Sequence, residues 1–259
     1  MGEFFQKPSK LRSTLSRCIA RCALWIPAKA LAKFVYWLVY SLSRERSPRD
    51  SLVFLLELER RLFFLTESEA CRYGNGLHTK HRHTRYHDFF TQRLRAGESV
   101  LDVGCGNAAL SYDMARTGAR VVGIDIDKEK IRFAREHYSH PCLDLIHGDV
   151  FKNLSGKRFD TIVMSNVLEH LSERPEFLRK LQETFTPRRW LFRVPMYERD
   201  WRVPLMDELG VDSRLDDTHY IEYTKEQFVD ELRQAGLRIV HEEIRWGEIW
   251  CEAVPKMTA

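Results

Sequence analysis

Val100-Leu-Asp-Val-Gly-Cys-Gly-Asn-Ala-Ala-Leu110 is the most informative stretch of the chain: an apolar run that breaks at Gly104 and Gly106 and resumes as a helix-forming segment. Glycine permits the sharp turn and the close backbone approach that such a junction needs. Outward from this loop, short apolar runs alternate with longer mixed segments. Strands are expected over Ser99–Val103, Arg120–Ile124, Leu143–Ile146, Thr161–Met164 and Trp190–Val194. Helices are expected between them over Ala108–Thr117, Lys128–His137 and Arg174–Phe185. Strands alternating with helices make βαβ units and a parallel sheet covered on both faces. Thr224 and Gln227 form a capping box for a helix that ends at Ala235 and Gly236. Leu237–Ile244 and Glu248–Val254 then pair around Trp246-Gly247. The expected fold class is α/β: a doubly wound, mostly parallel seven-stranded sheet with an antiparallel C-terminal hairpin, preceded by an N-terminal helical segment.

The chain has 259 residues, 44% of them apolar and 30% charged, which excludes a disordered chain and a polytopic membrane protein. Three regions are expected: a basic amphipathic segment 1–50, a helical cap 51–95 and the α/β domain 96–259. Within the second, Leu52–Leu65 reads as a helix and Cys71–Gly76 as a loop. The six cysteines contain no C-x-x-C pair and are too dilute for a disulfide scaffold, so a reducing, cytoplasmic compartment is expected.

The net charge of +4 is unevenly spread. Residues 1–50 hold ten Lys/Arg and three Asp/Glu, a balance of +7, whereas the other 209 residues hold 31 and 34, a balance of −3. The main domain therefore offers no basic face for nucleic acid, and the first segment is attracted to anionic surfaces. Leu24–Leu42 carries Trp25, Phe34, Tyr36, Trp37 and Tyr40, interrupted by Pro27, Lys29 and Lys33. Its uninterrupted apolar run, Phe34–Tyr40, is far short of the roughly twenty residues a membrane span needs. Two readings stay open: a helix lying at the inner face of a membrane, or an amphipathic cap on the main domain. A secretory signal fits poorly because the apolar part is late and lysine-bearing, while the Arg- and Ser-containing start leaves a transit peptide open.

The spacing Gly104-x-Gly106-x-x-Ala109 fits the dinucleotide fingerprint in its G/A form. Asp102 argues otherwise, since a carboxylate beside the loop repels a pyrophosphate and attracts a cationic cofactor. Val121-Val-Gly-Ile-Asp125 ends a second strand in an acid placed to accept both hydroxyls of a ribose. Gly148-Asp149-Val150 follows the third strand, and Phe159–Leu171 contains a fourth strand that breaks into Ser165-Asn-Val-Leu-Glu-His-Leu171. Together these motifs resemble the class I S-adenosylmethionine-dependent methyltransferases, in particular the ubiquinone-biosynthesis-like group with its Leu-Glu-His-Leu signature. The resemblance covers roughly residues 78–254 and implies a Rossmann-like domain with S-adenosylmethionine as cofactor. It implies that Asp102, Gly104, Cys105, Gly106, Asp125, Ile126, Asp149, Val150 and Ser165 surround that cofactor. Arg82, with Tyr86 and His87, comes from a segment that folds over the cofactor or acceptor in similar enzymes. One departure is Ala108, where a third glycine is common.

The implied reaction is an in-line methyl transfer, with O-directed chemistry on a small-molecule, sugar or lipid-linked acceptor. Its base candidates are His170, just beyond the fourth strand, and His219, before the capped helix. His81, His83 and His87 lack a supporting Cys or acid at ligand spacing, and Asp207, Glu208, Asp212, Asp216 and Asp217 read as a solvated acidic loop rather than a Mg²⁺ site, so no metal is expected. Arg188–Gly210, rich in aromatic residues and proline, makes either an acceptor wall or a cover for the core. Two alternatives to the methyltransferase are a non-catalytic cofactor-binding scaffold and a nicotinamide-dependent oxidoreductase, the latter opposed by Asp102.

Overall fold

The computed structural model describes residues 25–75 and 77–256; Arg17, Arg21, Cys18, Cys22 and Leu24 of the basic segment lie outside the described residues. In chain order, helices α1 (Ala28–Arg44), α2 (Pro48–Tyr73), α3 (Lys80–Thr84) and α4 (His87–Thr91) precede β1 (Ser99–Val103) and α5 (Ala109–Arg116). They are followed by β2 (Arg120–Asp125), α6 (Lys128–His137), β3 (Leu143–His147), α7 (Val150–Asn153), β4 (Thr161–Ser165) and α8 (Arg174–Phe185). The chain continues through β5 (Arg189–Pro195), α9 (Arg202–Leu209), α10 (Lys225–Gln234), β6 (Leu237–Arg245) and β7 (Glu248–Pro255). The described chain divides into two units, one comprising residues up to Glu69 with Pro204–Thr218, the other Ala70–Val203 with the chain from His219 onward.

The second unit contains the sheet, in the order β3-β2-β1-β4-β5-β7-β6. β1 to β5 are parallel and β7 runs antiparallel to both β5 and β6, as expected. Period-two alternation sends neighbouring side chains to opposite faces. Leu101, Ile162, Trp190 and Phe192 bury one face against Leu178, Leu181 and Phe185 of α8 and Phe228 and Leu232 of α10. Val100, Val163, Leu191 and Trp250 bury the other against Phe89 and Phe90 of α4 and Met114 of α5. The capping box at Thr224 is formed on both sides. Arg245 pairs with Glu248 across Trp246 (φ 57°) and Gly247 (φ 73°), the doubly left-handed turn that matches strand twist in a two-residue hairpin.

The first unit holds α1, most of α2 and the segment Pro204–Thr218. α2 is longer than expected, because Pro48 starts it and the helix-forming run through Glu67, Glu69 and Ala70 carries it to Tyr73 before left-handed Asn75 (φ 54°). The first half of the expected Cys71–Gly76 loop, through Tyr73, is therefore helix. Arg60, nearly buried, donates to Asp212 at 2.9 Å and to Asp217 at 2.6 Å. Arg214 pairs with Asp212 at 2.9 Å, and Ser213 donates to Asp207 at 2.7 Å. Asp207, Asp212 and Asp217 thus help hold their own segment together, while Asp207, Glu208 and Asp217 remain exposed, as the solvated reading has them. Arg188–Gly210 contains all of β5, whose Trp190 and Phe192 are core, and α9, with Pro204 in its first turn.

The hairpin turn is sensitive to a single methyl. A Cβ at Gly247 would lie 2.8 Å from Cβ of Arg199, in a backbone conformation that L-residues disfavour. Gly247→Ala is expected to lower stability by about 1–3 kcal/mol, read as a lower urea midpoint with an unchanged slope; an unchanged midpoint would show that the turn adapts freely.

Candidate active site

Strand order reverses between β1 and β4, so the loops leaving their carboxyl ends part and open a crevice. A cleft of about 390 Å³ lies there, lined by Asp102, Gly104, Cys105 and Asn107 on one side and Ser165 and Asn166 on the other. Lys80, Tyr86, Leu110, Lys130 and Arg193 complete its wall.

The glycine loop is positioned from beneath. The N–H groups of Gly104 and Cys105 both donate to Ile124 O, at 2.8 and 3.1 Å. The N–H of Gly106 donates to Asp125 Oδ2 at 2.8 Å, while Asp125 Oδ1 accepts from the N–H of Asp127 at 2.8 Å. Ala108 donates to Cys105 O at 2.9 Å and is itself left-handed (φ 61°), so α5 starts one residue later than expected. The donors that a pyrophosphate would need are therefore turned inward, which counts against a dinucleotide. A Cβ at Gly104 (φ 67°) would meet Val167 Cγ2 at 2.8 Å, whereas space is open beside Gly106.

The floor of the cleft is acidic. Asp102, 2% exposed, accepts from Ser111 Oγ at 2.5 Å. Burial, with the charge of Asp125 nearby and against the Ser111 hydrogen bond, pushes its carboxyl up to about 7. A cationic ligand would restore the ionised form, so the donor set suits the ammonium and sulfonium of an adenosyl cofactor. Across the cleft, Arg193 is 4% exposed; its guanidinium forks onto Glu248 at 2.8 and 2.6 Å and stacks 4.1 Å from the Tyr86 ring.

Of the residues singled out in the sequence, Asp102, Gly104, Cys105 and Ser165 line the cleft. Asp125 and Asp149 stand at the tips of β2 and β3, joined by the hydrogen bond from Gly148 N–H to Asp125 O at 2.9 Å. Asp149 Oδ1 caps α7, accepting from the N–H groups of Phe151 and Lys152 at 3.0 Å. Ile126 is 80% exposed beside them, and Val150 is buried. Arg82 lies apart, exposed and 5.5 Å from the Tyr73 ring. His87 Nδ1 donates to Asp113 Oδ2 at 2.6 Å, and burial pushes His81 down to about 3, which keeps it neutral.

His170 and His219 come together, with ring centroids 4.7 Å apart. His219 is nearly buried, and its Nδ1 lies 3.1 Å from Glu222 Oε1. Glu222 also pairs with Arg199. Sequence reasoning passed over Arg193, Glu169 and Glu222. A signal existed for each: a lone charge inside the apolar run Trp190–Val194, the acid within Leu168-Glu-His170, and the His-x-x-Glu spacing at 219–222.

A family model described as a methyltransferase domain matches residues 77–242, more than half of the chain. The mitochondrial ubiquinone biosynthesis O-methyltransferase of Schizosaccharomyces pombe is 36% identical over 110 residues, covering 39% of this chain and 40% of that one. The ribosomal protein L11 methyltransferase of Thermosipho africanus is 38% identical over 116 residues, covering 42% and 43%. The chain thus spans about two fifths of the length of these curated relatives. Among solved structures, the magnesium protoporphyrin IX methyltransferase of Synechocystis, with bound SAH, matches with a TM-score of 0.54 at 20% identity, covering 67% of this chain and 84% of that chain, and so shares its fold.

The raised carboxyl of Asp102 has a consequence for stability. Its folded value lies above the ordinary 3.8, so the folded state is penalised progressively as pH rises from about 4 through about 7. Each unit of displacement costs about 1.4 kcal/mol once the pH exceeds both values. Asp102→Asn keeps an acceptor for Ser111 without the charge, and is expected to melt higher than the parent at pH 8, with the gap closing towards pH 5. A gap independent of pH would show that Asp102 is not the group titrating.

Proposed function

The chain belongs to the methyltransferase-domain family, and on that footing we propose that it transfers a methyl group from S-adenosylmethionine to an oxygen of a small-molecule acceptor. The observation that carries the proposal is the buried Asp102 on the floor of a glycine-turned cleft whose N–H groups point inward. S-adenosylmethionine supplies an activated methyl on a neutral leaving group. The chain's own work is alignment, exclusion of water and removal of the acceptor proton. Asp102 holds the cationic end, Asp125 accepts from the ribose hydroxyls and Asp149 from the adenine amino group. Asp125 already accepts two backbone N–H groups, each through a different oxygen, so a second lone pair on each is what the ribose engages. His219, its Nδ1 tied to Glu222, is the base for the acceptor hydroxyl, in the manner of an imidazole oriented by a carboxylate. O-directed transfer is supported by the curated relatives named for ubiquinone biosynthesis.

Calorimetric titration tests this. S-adenosylhomocysteine is expected to bind one per chain while NAD gives no heat, and Asp102→Asn is expected to weaken binding by about tenfold or more, the worth of a charged contact. Binding of NAD in preference would overturn the proposal.

The acceptor, on this view, is lipid-linked and met at an anionic membrane surface. Among the described residues no helix is long and apolar enough to cross a membrane. α1 instead exposes aromatic side chains, with Tyr36 at 71% and Trp37 at 62%, and Trp25 just before it at 90%, beside Lys29 and Lys33. Such a helix suits the headgroup region. In sedimentation with phosphatidylglycerol vesicles, Tyr36→Ser with Trp37→Ser is expected to release the protein while leaving S-adenosylhomocysteine affinity unchanged. Unaltered vesicle binding, or none by the parent, would refute the membrane role.

A further inference from the structure

The loop that leaves β4 passes from Ser165 and Asn166 in the cleft to a short turn at Leu168–His170. Glu169 on that turn is fully buried, and neither carboxylate oxygen has a hydrogen-bond partner. A buried carboxyl group without a partner costs several kcal/mol unless something compensates it. Arg193 is forked onto Glu248 and makes no hydrogen bond to Glu169. The groups nearest in kind are imidazoles: one atom each from Glu169, His170 and His219 lie within 4.8 Å of one another. Glu222 accepts the Nδ1 side of His219 and is itself braced by Arg199. A carboxylate on one ring nitrogen is the outer-sphere arrangement that orients an imidazole to bind a metal through the other.

We propose that Glu169, His170 and His219 form a binding site for one divalent first-row transition metal ion, Zn²⁺ being the probe that fits the donors. Two imidazoles and one carboxylate are the ligands such ions favour, with at least one position left open. Mg²⁺ and Ca²⁺ prefer sites built of oxygen, and only one oxygen-bearing side chain is offered here. The three ligands come from two segments, the turn after β4 and the stretch before α10, so the ion would also tie these together. The open position would hold an acceptor oxygen, and with the ion bound His219 would serve as its ligand in place of the free base proposed above. That role rests on the methyltransferase reading, whereas ion binding does not.

The test uses the full chain stripped with chelator and titrated calorimetrically with ZnCl₂ and, separately, MgCl₂. One Zn²⁺ per chain is expected, bound more tightly than Mg²⁺, with a rise in melting temperature on loading. His219→Gln and Glu169→Gln are expected to abolish the tight phase, and Glu222→Gln to weaken it about 10–100-fold. His170 is exposed, so His170→Gln is the variant that folds regardless and still removes a ligand. Zn²⁺ binding of equal strength in His170→Gln and parent, or no tight phase in the parent, overturns the site, as does a preference for Mg²⁺. Titration of the stripped protein with S-adenosylhomocysteine separates the two proposals. Cofactor binding without tight Zn²⁺ binding defeats the ion site alone, and tight Zn²⁺ binding without cofactor binding upholds the ion site while defeating the methyltransferase reading.

Discussion

Asp125 holds the glycine loop to the tip of β2 through Oδ2 and is itself fixed there through Oδ1, and the shape of the cleft depends on that clamp. Oδ2 takes the N–H of Gly106 and Oδ1 the N–H of Asp127, while Ile124 O takes those of Gly104 and Cys105. The N–H groups of Gly104, Cys105 and Gly106 are thereby turned towards the protein. A phosphate-binding loop does the reverse, presenting N–H groups to its ligand. The same short glycine spacing can thus serve opposite charges, depending on which way its N–H groups are turned.

Charge burial recurs throughout the sheet unit, and each instance is resolved differently. Arg193 sits in the apolar body of β5, where register brings it opposite Trp250 and next to Glu248 on β7. Its fork onto Glu248 and its stacking on Tyr86 satisfy it on all sides, which is the condition for a buried charge to persist. Asp102 has one hydrogen bond and is held near neutrality by burial. Glu169 has none, and burial pushes it up to about 8. Satisfaction thus falls from Arg193, complete, through Asp102, which shares the cleft with it, to Glu169 on the loop that leaves the cleft, where a ligand would supply the missing partner. That is the distribution expected of a site that is complete only when occupied.

The first unit follows another logic. Arg60 gathers Asp212 and Asp217, and Arg214 adds to them, so a segment that reads as a string of scattered acids is stitched to a helix far away in sequence. α1 has few inward contacts to account for its aromatic residues: Phe34, Tyr36, Trp37 and Tyr40 are all more than half exposed. Scattered exposed apolar residues are ordinary, but a run of aromatic ones along a single helix is a surface for something apolar.

Strand and helix periodicity, the glycine turn, the capping box and the Trp246-Gly247 hairpin were all legible from local pattern, because each depends on residues within a few positions of one another. The parallel run of β1 to β5 and the antiparallel hairpin were legible in the same way, whereas the order in which the strands lie side by side came only from the fold. Helix ends were less legible: Ala108 adopts a left-handed cap that composition does not announce, and α2 outruns its apolar stretch on propensity alone. The acids at 102, 125 and 149 were found because they follow strands at regular offsets. Arg193 was not, because Glu248 and Tyr86, which satisfy it, come from other segments; Glu169 stands out only because the fold buries it without a partner, and Glu222 because the fold buries it between His219 and Arg199. Which charges meet is set by strand register and by loops returning to the same edge of the sheet. The pairing of His219 with Glu169 and His170 across two such loops is therefore a property of the folded chain, and no local rule of sequence contains it.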